Sequence, residues 1–133
     1  MASEIDKAME DWDNEFHTVD NFNISIYVGL REGYEGLCRT PQNAIDICRK
    51  YCDHVGLGVT VTPTNFVYVG GDEPGVIVGL IHYPRFPKTE KAMCRDAIDL
   101  AQMLRQGLKQ QRVSIVFPKK TIMIGPKDET LKT

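Results

Sequence analysis

The stretch from Leu57 to Tyr83 limits the fold more than any other part of the chain. In "LGVTVTPTNFVYV", Leu57, Val59 and Val61 alternate with Thr60 and Thr62, and the pattern continues through Phe66 and Tyr68. The turn-forming "GGDEPG" follows, and then a second apolar run, "VIVGLIHY". Side chains two residues apart share a face of a strand, so two such runs around a glycine-rich turn predict a β-hairpin and therefore an antiparallel sheet. Pro63 has no N–H to give to a central ladder, which places the first arm at a sheet edge or gives it a bulge.

The segments on either side supply the rest of the fold. From Asn23, Ile24, Ile26, Val28 and Leu30 face one way and Ser25, Tyr27 and Gly29 the other, the period of a strand. "TPQNAIDICRKYCDHVG" reads as a helix: Thr40 caps it, Pro41 takes the first helical position, Ala44, Cys48, Tyr51, Cys52 and Val55 form its apolar stripe, and Gly56 ends it. A longer helix starts from Thr89 and buries Met93, Ala97, Leu100, Ala101, Leu104 and Leu108; "RVSIVF" follows as a strand, and "TIMIG" beyond Pro118 is a candidate extension of the sheet.

The order strand, helix, strand, strand, helix, strand predicts an α+β chain with the ferredoxin-like βαββαβ arrangement, a four-stranded antiparallel sheet with two helices on one face. With 133 residues, of which 42% are hydrophobic, the chain matches one domain over 21–125 with a flexible tail over 126–133. Residues 1–20 are a different kind of segment. Seven acidic residues against Lys7 leave this arm at −6, while 11 acidic and 15 basic residues leave the remainder at +4. Ile5, Met9, Trp12 and Phe16 recur at helical spacing among the carboxylates, which predicts an amphipathic N-terminal helix capped by Ser3.

The second arm of the hairpin is apolar on both faces: Val76, Val78 and Leu80 on one, Ile77, Ile81 and Tyr83 on the other. A sheet with one solvated face alternates with polar residues, so the outer face is expected to be covered. Tyr27 points to that face too. The expected interface therefore comprises Tyr27, Ile77 and Ile81, with Trp12 and Phe16 of the N-terminal arm. The cover is either that arm or a second subunit, and the expected assembly is a homo-oligomer, a dimer or a trimer.

Chemistry-bearing motifs are few. The loop "REGYEGLCR" lacks the spacing of a phosphate loop or a dinucleotide fingerprint. Cys48, Cys52 and His54 can be imagined as metal ligands, but the cysteines read better as reduced, buried apolar side chains, and the three histidines have no ligand spacing. No metal, cofactor or catalytic residue is assigned. The topology gathers Arg31, Glu32, Tyr34, Glu35 and Arg39 with Asp72 and Glu73 at one end of the sheet, and His54, His82, Tyr83, Arg85 and Lys88 at the other. At that second end Arg85, Lys88, His82 and Tyr83, beside the start of a helix, make the candidate anion-binding site.

"IYVGL", Ile26 to Leu30, resembles the first-strand motif of RNA-recognition domains, which implies base stacking on Tyr27; the third strand lacks the partner motif and the charge is not basic, so nucleic acid is not the expected partner. The hairpin "VTVTPTNFVYVGGDEPGVIVGLIHY" resembles that of the trimeric CutA and PII signalling proteins, which implies clefts between subunits for metal ions or nucleotides. "VTVTPTNFVY…EPGVIVGLI.YPRFP" is similar to small uncharacterised proteins of tailed bacteriophages. With no apolar run long enough to span a membrane and no signal region, a cytoplasmic location is expected, that of the host for a phage protein. The leading expectation is a non-enzymatic, oligomeric binding or regulatory module that engages a host protein or a small anionic ligand. An enzyme using His82, Tyr83 and Arg85 is the alternative, and an RNA-binding domain using Tyr27 a further one.

Overall fold

A computed structural model describes residues 3–10, 12, 15–33 and 36–126. Its elements in chain order are α1 (Glu4–Met9), β1 (Ile24–Gly29), α2 (Pro41–Val55), β2 (Val59–Tyr68), β3 (Gly71–Leu80), α3 (Glu90–Gly107), β4 (Val113–Val116) and β5 (Thr121–Ile124). The strands form one sheet in the order β2-β3-β1-β4-β5, and every neighbouring pair is antiparallel.

The local signals act as expected. Thr40 accepts from the Asn43 amide while Asn43 reaches back to the Thr40 N–H, Pro41 opens the helix, and Gly56 closes α2 at φ 68°, a conformation a side chain would disfavour. Thr89 caps α3 through the Ala92 amide. Both helices pack on one face of the sheet, α2 against β2 and α3 against β1 and β4. Between them lie Ile24, Ile26 and Val28 of β1, Val76, Val78 and Leu80 of β3, Ile115 of β4, and the stripe Met93, Ala97, Leu100 and Leu104 of α3, with no polar side chain buried among them. Each such side chain contributes about 1.5–3 kcal/mol relative to exposure. β2 stands at the edge, with Pro63 opposite Val76.

Two expectations are corrected. The sheet has five strands, and the four-stranded ferredoxin-like description is only roughly compatible with it. The Phe117 amide donates to the Lys120 carbonyl at 2.8 Å, and this turn brings Thr121–Ile124 back along β4. Of the helix expected over 1–20, the described residues show the six of α1, none of them buried, and those from Glu15 to Asn23 are not helical. One and a half turns cannot support themselves on propensity, and the apolar stripe has nothing to bury against: Ile5 is 69% exposed and Trp12 61%. Trp12 and Phe16 meet edge to face, 6.4 Å between ring centres, and Ile5, Trp12 and Phe16 of the arm are exposed rather than laid on the sheet. Tyr34, Glu35 and the tail from residue 127 lie outside the described residues. None of the described helices is long and apolar enough to cross a membrane.

A cavity on the open face of the sheet

Pairing register decides what stands on the face away from the helices. Ile24, Ile26 and Val28 point to the helices, so Tyr27 and Gly29 of β1 point outward, as do Gly75 and Ile77 of β3, which are their partners in register. Phe66 of β2 faces Glu73 of β3 on the same side, and Ser114 of β4 stands beside Tyr27.

The two glycines lie side by side and leave a shallow floor where side chains would otherwise rise. The ring of Phe66 crosses it: a Cβ on Gly75 would come 2.1 Å from Phe66 Cε2 and 2.8 Å from the Val28 carbonyl oxygen. A Cβ on Gly29 would come 2.8 Å from Gln110 Oε1 and 3.6 Å from Glu73 Oε1. Glycine in a strand is costly in entropy and suits a place where another group comes close to the backbone, which is the case both at Gly75 inside β3 and at Gly29 at the end of β1.

Around this floor lies a cavity of about 700 Å³, in the size range of small-molecule sites. Tyr27 and Phe66 supply aromatic surface, tilted at 59° with ring centres 6.4 Å apart. Glu73 and Gln110 stand over Gly29, and Arg31, Lys109 and Arg112 add cationic groups to the wall. This is the end of the sheet where the sequence gathers Arg31, Glu32 and Arg39 with Asp72 and Glu73. The structure brings Arg31 Nη1 to the Asp72 carbonyl at 3.5 Å and pairs Arg39 with Glu32 at 3.3 Å.

At the other end His82 and Lys88 have their polar groups engaged within the chain. His82 meets the Asp20 carbonyl through Nδ1 at 2.7 Å, accepts the Lys88 amide on Nε2 at 3.0 Å, and stacks on Phe22. Lys88 Nζ is 2.5 Å from Asp96 Oδ2, and the Tyr51 hydroxyl donates to Asp96 Oδ1 at 3.2 Å. Arg85 lies over Phe86, and Tyr83 lies near Gly58. Of the four residues expected to bind an anion, two have their polar groups engaged within the chain: the Lys88 ammonium is spent on Asp96 and its amide on His82. Neither His82, Tyr83 nor Arg85 lines the open-face cavity.

A smaller cavity of about 250 Å³ runs between α2 and β2, lined in part by Cys48 and Cys52. Burial, with the neighbouring Cys52 adding to it, pushes the Cys48 thiol up from 9.0 to about 12, and burial with Asp53 nearby raises Cys52. Thiols held protonated are neither nucleophiles nor ready metal ligands. Among the described residues no group of three or more His, Cys, Asp or Glu side chains is placed to hold a metal ion. Burial first, then Asp96 and Asp99, hold the Tyr51 hydroxyl well above its ordinary range, so it serves as a donor.

An α+β domain with an aromatic and polar cavity on its open sheet face is thus the class of protein that the chain defines. No family model and no curated protein matches the sequence. Two solved structures share the fold. A phage SAM lyase in complex with S-methyl-5'-thioadenosine superposes with a TM-score of 0.71 at 16% identity, over 85% of this chain and 95% of that one. A phage SAM lyase in the apo state gives 0.66 at 18% identity, over 84% and 96%. These phage neighbours agree with the likeness to bacteriophage proteins; the likeness to CutA and PII is not shown.

Proposed function

We propose that the protein is an enzyme, a lyase that breaks a carbon–sulfur bond of S-adenosylmethionine and releases S-methyl-5'-thioadenosine from the open-face cavity. The observation that carries this reading is the pairing of Tyr27 and Phe66 over a glycine floor in a cavity of about 700 Å³, on a fold shared with lyases of that kind. Two aromatic faces suit a purine, and rings also attract the sulfonium cation. In the cleavage both bonding electrons pass to sulfur, which becomes a neutral thioether, while the carbon it leaves gains its replacement bond within the substrate itself, from the substrate's own carboxylate oxygen or from the electron pair freed when a neighbouring C–H proton is lost to solvent. This replaces the non-enzymatic module as the leading reading, and it moves the enzyme alternative from His82, Tyr83 and Arg85 to the opposite end of the sheet.

The test is direct. Purified protein incubated with S-adenosylmethionine is expected to form S-methyl-5'-thioadenosine, followed by chromatography. Phe66→Ala and Tyr27→Ala are each expected to lower kcat/KM about 5- to 100-fold, the range that loss of one stacking ring gives. Wild-type protein that forms no thioether nucleoside sinks the proposal.

We further infer that the open face meets a second copy of the chain. Tyr68 of β2 and Met123 of β5 stand on that face by register and are each 44% exposed, and Ile81, just beyond β3, is 37% exposed, which leaves apolar surface there for a second chain to cover. Light scattering at micromolar concentration is expected to give a multiple of 15.0 kDa, and a single-chain mass excludes it.

A further inference from the structure

One side chain in the cavity is oriented by constraint. Gln110 follows α3 in a turn where Lys109 takes φ 56°, left-handed for a non-glycine residue. Its backbone amide is tied to the Arg105 carbonyl at 2.9 Å. Its side-chain Nε2 donates to the Arg31 carbonyl at 2.9 Å and to the Leu108 carbonyl at 3.0 Å. Carbonyl oxygens only accept, so the amide cannot be turned over without setting oxygen against oxygen at both contacts. Oε1 therefore faces the cavity as an acceptor, over Gly29, where the Glu73 carboxylate also points. Among the described residues neither Glu73 nor Gln110 Oε1 is matched by a donor or a cation of the chain.

We propose that Gln110 and Glu73 form a subsite for the primary ammonium of an amino-acid group on the ligand. The inference rests on the S-adenosylmethionine reading and names which end of the substrate this corner of the cavity takes. Two acceptors of which one is charged call for a ligand that brings several N–H donors and a positive charge. An ammonium does both. A purine amino group brings donors without charge and would leave the carboxylate uncompensated. A metal ion would need more ligands than the pair supplies. The cations Arg31 and Lys109 on the same wall suit the carboxylate of the same amino-acid group. The consequence is selectivity: the substrate carries this tail, and S-methyl-5'-thioadenosine lacks it, so the subsite holds substrate and lets product go.

The experiment compares two nucleosides that are not substrates, by calorimetric titration of the full chain. S-adenosylhomocysteine has the amino-acid tail without the sulfonium charge, and S-methyl-5'-thioadenosine has neither. Wild-type protein is expected to bind the first at least 10-fold more tightly. Glu73→Gln is expected to weaken it about 10-fold or more, the range of a charged hydrogen bond, with S-methyl-5'-thioadenosine changed by less than about 2-fold. Gln110→Leu is expected to weaken it about 5-fold with the same selectivity. If Gln110→Leu fails to fold, Glu73→Gln decides, because no hydrogen bond or ion pair among the described residues rests on Glu73. Equal affinity of wild type for the two nucleosides, equal loss of both in Glu73→Gln, or no loss of either overturns the subsite and leaves the lyase reading intact. Binding of neither nucleoside by wild-type protein overturns both.

Discussion

The two ends of the sheet carry similar side chains and put them to opposite uses. At one end His82, Lys88, Asp96 and Tyr51 satisfy one another and the backbone: both ring nitrogens of His82 are bonded, and the Asp96 carboxylate is shared between the Lys88 ammonium and the Tyr51 hydroxyl. At the other end Glu73 and Gln110 Oε1 point into an aromatic-walled cavity with capacity left over. Residue type alone does not separate them. A histidine, a lysine and an arginine near a helix start look more like a site than a glutamine after a helix end does. What separates them is whether the polar groups are spent, because a saturated cluster stabilises the chain and an unsaturated one in a cavity is left for a ligand.

The largest effect that tests this contrast is on stability at the saturated end. Lys88 and Asp96 side chains are 21% and 15% exposed, so removing one leaves the other with its charge little compensated by water. Asp96→Ala is expected to lower the unfolding free energy by about 2 kcal/mol in urea titration, with the affinity for S-methyl-5'-thioadenosine unchanged. A variant that keeps its stability and loses binding would reverse the roles of the two ends.

The next effect is the mirror image. In Gly29→Ala the new methyl group would stand 2.8 Å from Gln110 Oε1. That oxygen ends a side chain whose Nε2 is held by the Arg31 and Leu108 carbonyls, so it gives way by a small tilt that stretches those bonds without turning the amide over. Stability is expected to fall by less than about 1 kcal/mol, and affinity for S-adenosylhomocysteine by about 5-fold. A large loss of stability with affinity intact would make Gly29 a packing glycine and remove it from the site.

Much of the fold was legible because it is written in local signals: alternation in β1, β2 and β3, caps at Thr40 and Thr89, and the αL glycine at 56. The edge position suggested by Pro63 followed from one missing N–H. The first helix was overread because Ile5, Met9, Trp12 and Phe16 have helical spacing, and spacing says nothing about whether a surface exists to receive the stripe. Tyr27 and Ile77, expected as interface residues on the face away from the helices, do share that face by register. Gln110 was not legible, since its partner Arg31 is 79 residues away and the bond depends on how the end of α3 meets the loop after β1. A signal was nonetheless present. Gly75 falls inside β3 and Gly29 closes β1, and a glycine in a strand marks close approach to the backbone. At Arg85 and Lys88 the limit is complementary: sequence shows which charges exist, and Asp96, a helix turn and a half into α3, is the partner of Lys88 that it did not show.

The smallest expected effect extends the contrast to the cysteines, where chemistry again follows burial. Cys48 is 3% exposed and its thiol titrates near 12 in the folded chain against 9.0 for an ordinary thiol, while Cys38 is exposed. At pH 8 a disulfide reagent is expected to label Cys38 first, with Cys48 reacting at the rate of opening of α2. Linkage fixes the sign at higher pH. Below pH 9 the thiol is protonated in both states and Cys48 contributes no slope. Between pH 9 and about 12 the unfolded chain loses this proton and the folded chain keeps it, so stability falls as pH rises through that window. Tyr51, raised in the same direction, adds to the fall above pH 10. Cys48→Ala is expected to flatten the decline between pH 9 and 10, before Tyr51 enters, and an unchanged slope in urea titrations across that interval would show that Cys48 is not its source.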